Sequence, residues 1–276
     1  MLFLLIFGSV MAMPLILTIS NALKPPNELW VWPPTFFARN PTFVNFRNMA
    51  SMMAESIVPF SRYFFNTVFA VVTSTFFHII FASMCAYPLA LYKFPMSKPF
   101  ANLVITAMML AASVLTIPNY LIITKLGLLD TQWAIILPAL ASPLGLFLMK
   151  QFMETNVPMA LLESAEIDGA SEWGKYSRIV MPLSKPAWLT LMILTINAVW
   201  STPTTIYFLS EQQKPLVLAL QQVFTMSVTQ NKGSGGYARW GVGAANAVFM
   251  LVVPLIVFIL NQSNVTETMA TSGIKD

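Results

Sequence analysis

The chain has 276 residues, 57% of them hydrophobic and only 9% charged, with a mean hydropathy of +0.69. A water-soluble domain carries roughly 25% charged residues, so an outer surface this poor in charge must face lipid, and a soluble fold is excluded. The net charge of +4 comes from basic residues scattered between apolar blocks, which reads as charges flanking membrane spans and not as a patch for nucleic acid.

A helix needs about 20 largely apolar residues to cross a hydrocarbon core about 30 Å thick, and charges are costly at its centre. The gaps between consecutive charges give six such windows. The first ends at Leu23, with a span expected over 2–21. No basic residue precedes it, so a retained span is expected and not a cleaved leader. The second lies between Arg62 and Lys93 (span 63–91), and the third between Lys98 and Lys125 (100–123). The fourth lies between Asp130 and Lys150 (131–149), and the fifth between Lys185 and Glu211 (187–209). The sixth lies between Arg239 and Glu267 (240–260). A seventh stretch, between Lys214 and Lys232, is short and carries Gln221, Gln222, Ser227, Thr229 and Gln230, so a short helix or partly inserted loop is expected there.

Backbone groups in lipid must be bonded within the segment, and these windows lack the polar–apolar alternation of barrel strands. The expected fold class is therefore all-α: a polytopic membrane protein of six transmembrane helices, with one transmembrane domain over 1–276. Pro14, Pro88, Pro118, Pro138, Pro143, Pro203 and Pro254 lie inside windows and are expected to kink them. Trp133, Trp188, Trp240 and Tyr63 stand at span ends, where interfacial anchors belong. Cys85, alone of its kind, excludes an intramolecular disulfide and is expected as a small buried packing residue. His78 is expected to be a neutral histidine bonded to a neighbouring helix, with a functional role as the alternative. Orientation does not follow from charge, because seven basic residues fall on one side and eight on the other.

The segment from Lys150 to Lys185 differs from its surroundings. It carries Glu154, Glu163, Glu166, Asp168, Glu172, Lys175 and Arg178, and it is too long for a simple connection. Asn156 and Pro158 are expected to start a helix with Leu161, Leu162 and Ala165 on one face. Gly169 is a natural stop, since glycine accepts the left-handed conformation. Ser171 is expected to cap a second short helix that Pro182 ends. The product is helix, glycine corner, helix, outside the membrane between spans four and five.

The run from Glu163 to Pro182, ESAEIDGASEWGKYSRIVMP, resembles the coupling-loop signature of ATP-binding cassette import permeases. That signature reads Glu-Ala-Ala, three residues, Gly, nine residues, Ile-x-Leu-Pro. Glu163, Ala165, Gly169, Ile179 and Pro182 fall on register, with Ser164 and Met181 as mild departures. Asp168, Gly169 and Ala170 match the Asp-Gly-Ala form common in such loops. The stretch SNALKP (Ser20 to Pro25) and the tail MATSGIKD (Met269 to Asp276) resemble the carbohydrate-uptake branch, in particular the six-span partner similar to the second maltose permease.

The resemblance implies a coupling loop over 154–183 in the cytoplasm of a bacterium, in a chain whose two termini are also cytoplasmic. It implies a second permease subunit, two ATPase subunits that dock on the loop, an extracytoplasmic solute-binding protein and a carbohydrate substrate, with oligosaccharide expected. Glu163 to Ala170 would then sit in a cleft of the ATPase, with Glu163 facing a basic residue there. ATP would be bound by the partner, for the chain has no G-x-x-x-x-G-K-[ST] phosphate loop. No catalytic constellation, cofactor site or metal-ligand spacing is evident. For the path, Asn197, Ser201 and Thr204 recur at spacings of four and three on one face of span five, beside Trp200. That polar, aromatic face suits sugar hydroxyls, and interhelical hydrogen bonds are the competing reading. A secondary carrier or a non-transport scaffold is the alternative function. The first is disfavoured because no Asp or Glu lies within the six windows.

Overall fold

A computed structural model describes the backbone of residues 2–29, 31–202, 205–229 and 235–272. In chain order the helices are α1 (Leu2–Leu23), α2 (Val44–Ala54), α3 (Phe60–Leu91), α4 (Ser97–Met108), α5 (Ala112–Lys125), α6 (Trp133–Leu140) and α7 (Pro143–Asn156). There follow α8 (Met159–Ile167) and α9 (Glu172–Lys175), which runs through a π-turn at Tyr176–Val180 into α10 (Met181–Leu183). The last three are α11 (Lys185–Ser201), α12 (Leu216–Thr229) and α13 (Gly235–Ser272). The fold is all-α, as the windows require.

Four helical stretches are long and apolar enough to cross a membrane, and two bent pairs bring the total among the described residues to six. The third window is not one straight helix. Ser97–Met108 and Ser113–Lys125 meet at 108°, with no glycine or proline at the break to announce it. The fourth pauses at Ala141, where Ser142 accepts from Gly145 N at 3.2 Å and Pro143 occupies the first turn. Pro143 therefore starts a helix, the role its fixed φ and missing N–H suit, and does not kink one. The fifth window ends earlier than expected: Thr202 is extended, as residues before a proline are biased to be. The stretch after Lys214 is the 14-residue α12, about 21 Å long at 1.5 Å per residue, too short to span.

The chain divides into two compact units, 1–66 with 210–255 and 67–209 with 256–276. In the first, Asn45 is fully buried on α2 and donates to Ala22 O at 2.9 Å and Lys24 O at 2.8 Å. It thus satisfies carbonyls left open at the end of α1. Buried Lys24 donates to Asn21 Oδ1 at 2.9 Å and to Thr35 O. Tyr63, expected as an interfacial anchor, is instead fully buried, its hydroxyl 3.0 Å from Ser56 Oγ and 3.4 Å from Glu211. Asn66 holds the strap after α11 by donating to Gln212 O at 2.8 Å and Lys214 O at 3.1 Å.

In the second unit α7 packs against α4 and α11. Ala82 and Ala86 of α3, Met149 and Met153 of α7, and Leu191 of α11 meet in one buried cluster, small residues permitting close helix approach. Cys85 is exposed, not buried: the buried face of α3 runs through Ala82, Ser83, Ala86 and Tyr87, and Cys85 lies beyond its edge, where with Ala82 it lines a surface hollow. His78 is buried and bonds a neighbouring helix, with Nδ1 2.7 Å from Thr195 Oγ1. Thr195 gives its own proton to Leu191 O at 2.8 Å, so Nδ1 carries the hydrogen and donates. Gly145 of α7 passes directly over the ring, and a Cβ there would lie 2.3 Å from His78 Nε2. Gly145→Ala is expected to destabilise the chain by about 1–3 kcal/mol, the usual cost of overpacking. Thermal unfolding in detergent checks this, and an unchanged midpoint would contradict the tight contact.

Candidate functional site

The segment after α7 forms a built corner. Asn156 does not start the next helix. It is the last residue of α7 and donates back to Phe152 O at 3.1 Å. Pro158, extended at φ −68° and ψ 128°, holds the N-cap position of α8. Leu162 and Ala165 point inward, whereas Leu161 is exposed, so the buried stripe is narrower than the sequence reading gave. Glu163, Ser164, Glu166 and Asp168 face outward.

Gly169 ends α8 with φ +75°. Ala170 N donates to Ala165 O at 2.8 Å and Gly169 N to Glu166 O at 3.0 Å. This pair of bonds is the Schellman closure, which needs a left-handed residue and so favours glycine. Ser171 then caps α9, accepting from Gly174 N at 3.2 Å. Both helix ends at the corner are satisfied, and Glu163, Asp168 and Gly169 remain exposed at its tip. Ala170 is half-buried.

The corner is fastened from beneath. Lys175 is buried, and its Nζ donates to Glu166 Oε2 and Glu172 Oε1, each at 2.9 Å. Glu172 Oε2 accepts from Tyr87 at 2.9 Å and from Tyr92 at 2.7 Å. Tyr92 foremost, then Lys175, hold the Glu172 carboxyl down at about 2. Glu166 first and Glu172 second hold the Lys175 ammonium above the ordinary lysine value. Burial, then the neighbouring Glu172 carboxylate, push the Tyr92 phenol up. The π-turn brings Tyr176 inward, where its hydroxyl lies 2.7 Å from Ser83 Oγ. Leu162, Tyr176 and Val180 join the same cluster as Ala86, Met153 and Leu191. Ile179 packs against its edge. Pro182 does not end the helical run. It lies in the first turn of α10, and the chain continues to Ser184 before turning 74° into α11.

Tyr87, Tyr92, Ser83, Glu172 and Lys175 were not among the expected site residues. The Glu172 and Lys175 spacing of three was visible as a helix-surface pair, but their tyrosine partners lie some eighty positions away. Of the path residues, Asn197 and Ser201 bond their own helix, Asn197 Nδ2 donating to Ile193 O at 2.9 Å and Ser201 Oγ to Asn197 O. Trp200 is buried, and Thr204 lies outside the described residues. A cavity of about 480 Å³ does open beside α11, but it is lined by Ala198, Val199 and Thr202 from that helix, one step round from the expected face.

Residues 78–265 match the family described as the inner membrane component of binding-protein-dependent transport systems. The chain belongs to that family. It is a multi-pass permease subunit of the inner membrane, acting in transport and not itself catalytic. The chain is 26% identical over 275 residues to the arabinooligosaccharides transport system permease protein AraQ of Bacillus subtilis (strain 168), covering 99% of this chain and 94% of that protein. It is 37% identical over 163 residues to Protein LplC of the same organism, covering 58% of this chain and about half, 54%, of that protein. A crystal structure of a bacterial ABC transporter involved in the import of the acidic polysaccharide alginate contains a chain of the same fold. Its TM-score is 0.75 at 21% identity, covering 95% of this chain and 93% of that one.

The Glu172 anchor predicts a pH dependence with a definite sign. Its carboxyl sits at about 2 when folded against an ordinary 4.5, so its contribution is complete above about 4.5 and fades as pH falls toward 2. Lys175, raised when folded, loses its contribution only above its ordinary 10.5. The difference in thermal midpoint between the native permease and Glu172→Gln is therefore expected to be constant from about pH 5 through neutrality and to close in acid. A difference that instead grows in acid would contradict the anchor.

Proposed function

We propose that this permease is one of two membrane subunits of an ATP-driven carbohydrate importer, and that the corner from Glu163 to Ala170 is where its ATPase docks. The carrying observation is the corner itself: an exposed tip with Glu163, Asp168 and Gly169 on a base whose ion pairs, tyrosine bonds and buried cluster tie it to α3 and α11. A docking element that transmits force needs this combination. A floppy loop would absorb the displacement of the ATPase, whereas a fastened one passes it to the spans. The energetic requirement is that the tip bind the two ATPase states with different affinity. ATP belongs to the partner, and the permease itself needs no cofactor.

On this reading the 150–185 segment and both termini are cytoplasmic. Ala165, Ile179 and Pro182 serve the base, while Glu163, Asp168, Gly169 and Ala170 meet the ATPase. The outer side then carries 24–62 and 210–239. Exposed apolar groups there, Trp32 at 88%, Phe37 at 71% and Ile57 at 91%, suit contact with an extracytoplasmic solute-binding protein. Trp30 and the Lys232–Gly236 run fall wholly or partly outside the described residues. The carbohydrate class rests on the likeness to AraQ, with an oligosaccharide as substrate and a second, non-identical permease completing the pathway.

Gly169→Val should weaken co-purification of the ATPase subunits by roughly tenfold, because a side chain in the left-handed region costs about 1–2 kcal/mol, more when β-branched. Gly127→Val, which imposes similar strain at φ +68° far along the chain from the corner, is the control and should leave docking unchanged. Equal loss in both variants, or none in Gly169→Val, would remove the assignment.

A further inference from the structure

The cavity beside α11 has a chemistry of its own. Thr116 and Asn119 of α5, Thr202 at the end of α11, and Thr205 and Tyr207 of the following turn line it together with Pro138 of α6. Its volume, about 480 Å³, falls within the roughly 300–1,000 Å³ of small-molecule sites. Two further hollows, one between α1, α12 and α13 and one beside Cys85, are lined mostly by apolar side chains. Apolar side chains, among them Ala134, Ile135, Val199 and Ile206, complete this lining, and its polar groups are all neutral: no Asp, Glu, Lys, Arg or His is among its described lining.

The wall is braced. Asp130, itself at φ +60°, donates from its backbone N to Tyr207 O at 2.8 Å and accepts from Leu209 N at 3.1 Å through Oδ1. That clasp fixes the turn carrying Thr205 and Tyr207. The Tyr207 ring lies nearly parallel to Tyr120, at 13° with centroids 6.4 Å apart, which gives the turn an aromatic flank.

We propose that this cavity is a subsite for a neutral saccharide, so that this subunit contacts substrate directly and discriminates against uronates. The proposal rests on the carbohydrate-importer reading above. Hydroxyl and amide groups exchange hydrogen bonds with sugar hydroxyls in either direction, and a buried polar ligand needs that exchange. A buried carboxylate needs a cation or free N–H groups. The described lining supplies no cation, and the Asn119 amide is its one side-chain N–H donor. The C-terminal end of α11, which reaches it at Thr202, carries the negative end of a helix dipole. The N-terminal turn of α6 also reaches it, but its donors are already spent: Ala134 N on Thr131 O, and Ile135 N and Ile136 N on Gln132 O. The Asp130 carboxylate, bonded to the same turn, adds further negative charge.

The test uses the complete transporter, co-purified with its receptor and reconstituted in proteoliposomes. Uptake of labelled arabinotriose and of labelled trigalacturonate is measured for the native complex, for Asn119→Leu with Thr202→Val, and for Thr202→Lys. Each variant is compared with the native complex under one receptor, so receptor preference cancels. The native complex is expected to take up the neutral trimer in preference to the uronate. The near-isosteric double variant should lose at least tenfold of that uptake while still assembling with its ATPase, and Thr202→Lys should shift the ratio toward trigalacturonate. Unchanged neutral uptake in the double variant, or a Thr202→Lys complex whose ratio of the two uptakes equals the native one, would overturn the subsite. A native complex that assembles with no ATPase and moves neither sugar would overturn the importer reading itself, and with it the subsite.

Discussion

Lys175 is a buried ammonium, and a buried charge survives in a fold only when it is paired and its donors are met. Glu166 and Glu172 meet it at 2.9 Å from opposite sides of the Gly169 corner. That requirement fixes much else. The two carboxylates can reach one ammonium only if the chain reverses sharply between them, and the Schellman closure provides the reversal. Glu172 in turn accepts from Tyr87 and Tyr92, which joins the corner to the end of α3. The corner is thus an extension of the membrane helices and not a loop hung between them.

The same economy appears inside the second unit. Two buried polar pairs there bridge one helix to another: His78 with Thr195, and Ser83 with Tyr176. Each pair joins α3 to the run that follows the corner. Gly145 and the alanines of α3 let the helices approach closely enough for those bonds to close. A push on the tip therefore reaches α3 and α11 through hydrogen bonds and packed side chains that leave little slack, as interiors at crystal-like density do.

Much of this was legible in the sequence. Charge-free windows located the membrane helices because a charge in hydrocarbon is costly wherever it falls. Gly169 and Ser171 announced the corner, since few residues suit a left-handed stop or a helix cap. Other features left no local mark. The 108° bend after Met108 has no proline or glycine to signal it. Pro143 and Pro182 both sit in first turns, where proline is well tolerated, so the residue type alone did not tell a start from a stop. Asn197 and Ser201 share one face of span five, and the sequence alone does not say what that face does. Polar side chains in a span can bond their own backbone at i−4, as both do, and periodicity does not distinguish that from a lining role. The Tyr87 and Tyr92 contacts to Glu172 join positions 85 and 80 residues apart, and no pattern within one window encodes them.

The most direct test of the docking account is residue-specific crosslinking in the intact transporter. With Cys85 replaced by serine, a single cysteine is placed at Asp168, and at Gln212, which the account assigns to the outer side, as a reference. The account predicts that Asp168→Cys forms a disulfide-linked adduct with cysteines placed on the ATPase subunit, that its yield changes between nucleotide-free and ATP-bound complexes, and that Gln212→Cys forms none. Adduct formation from Gln212→Cys, or its absence from Asp168→Cys in both nucleotide states, would contradict it.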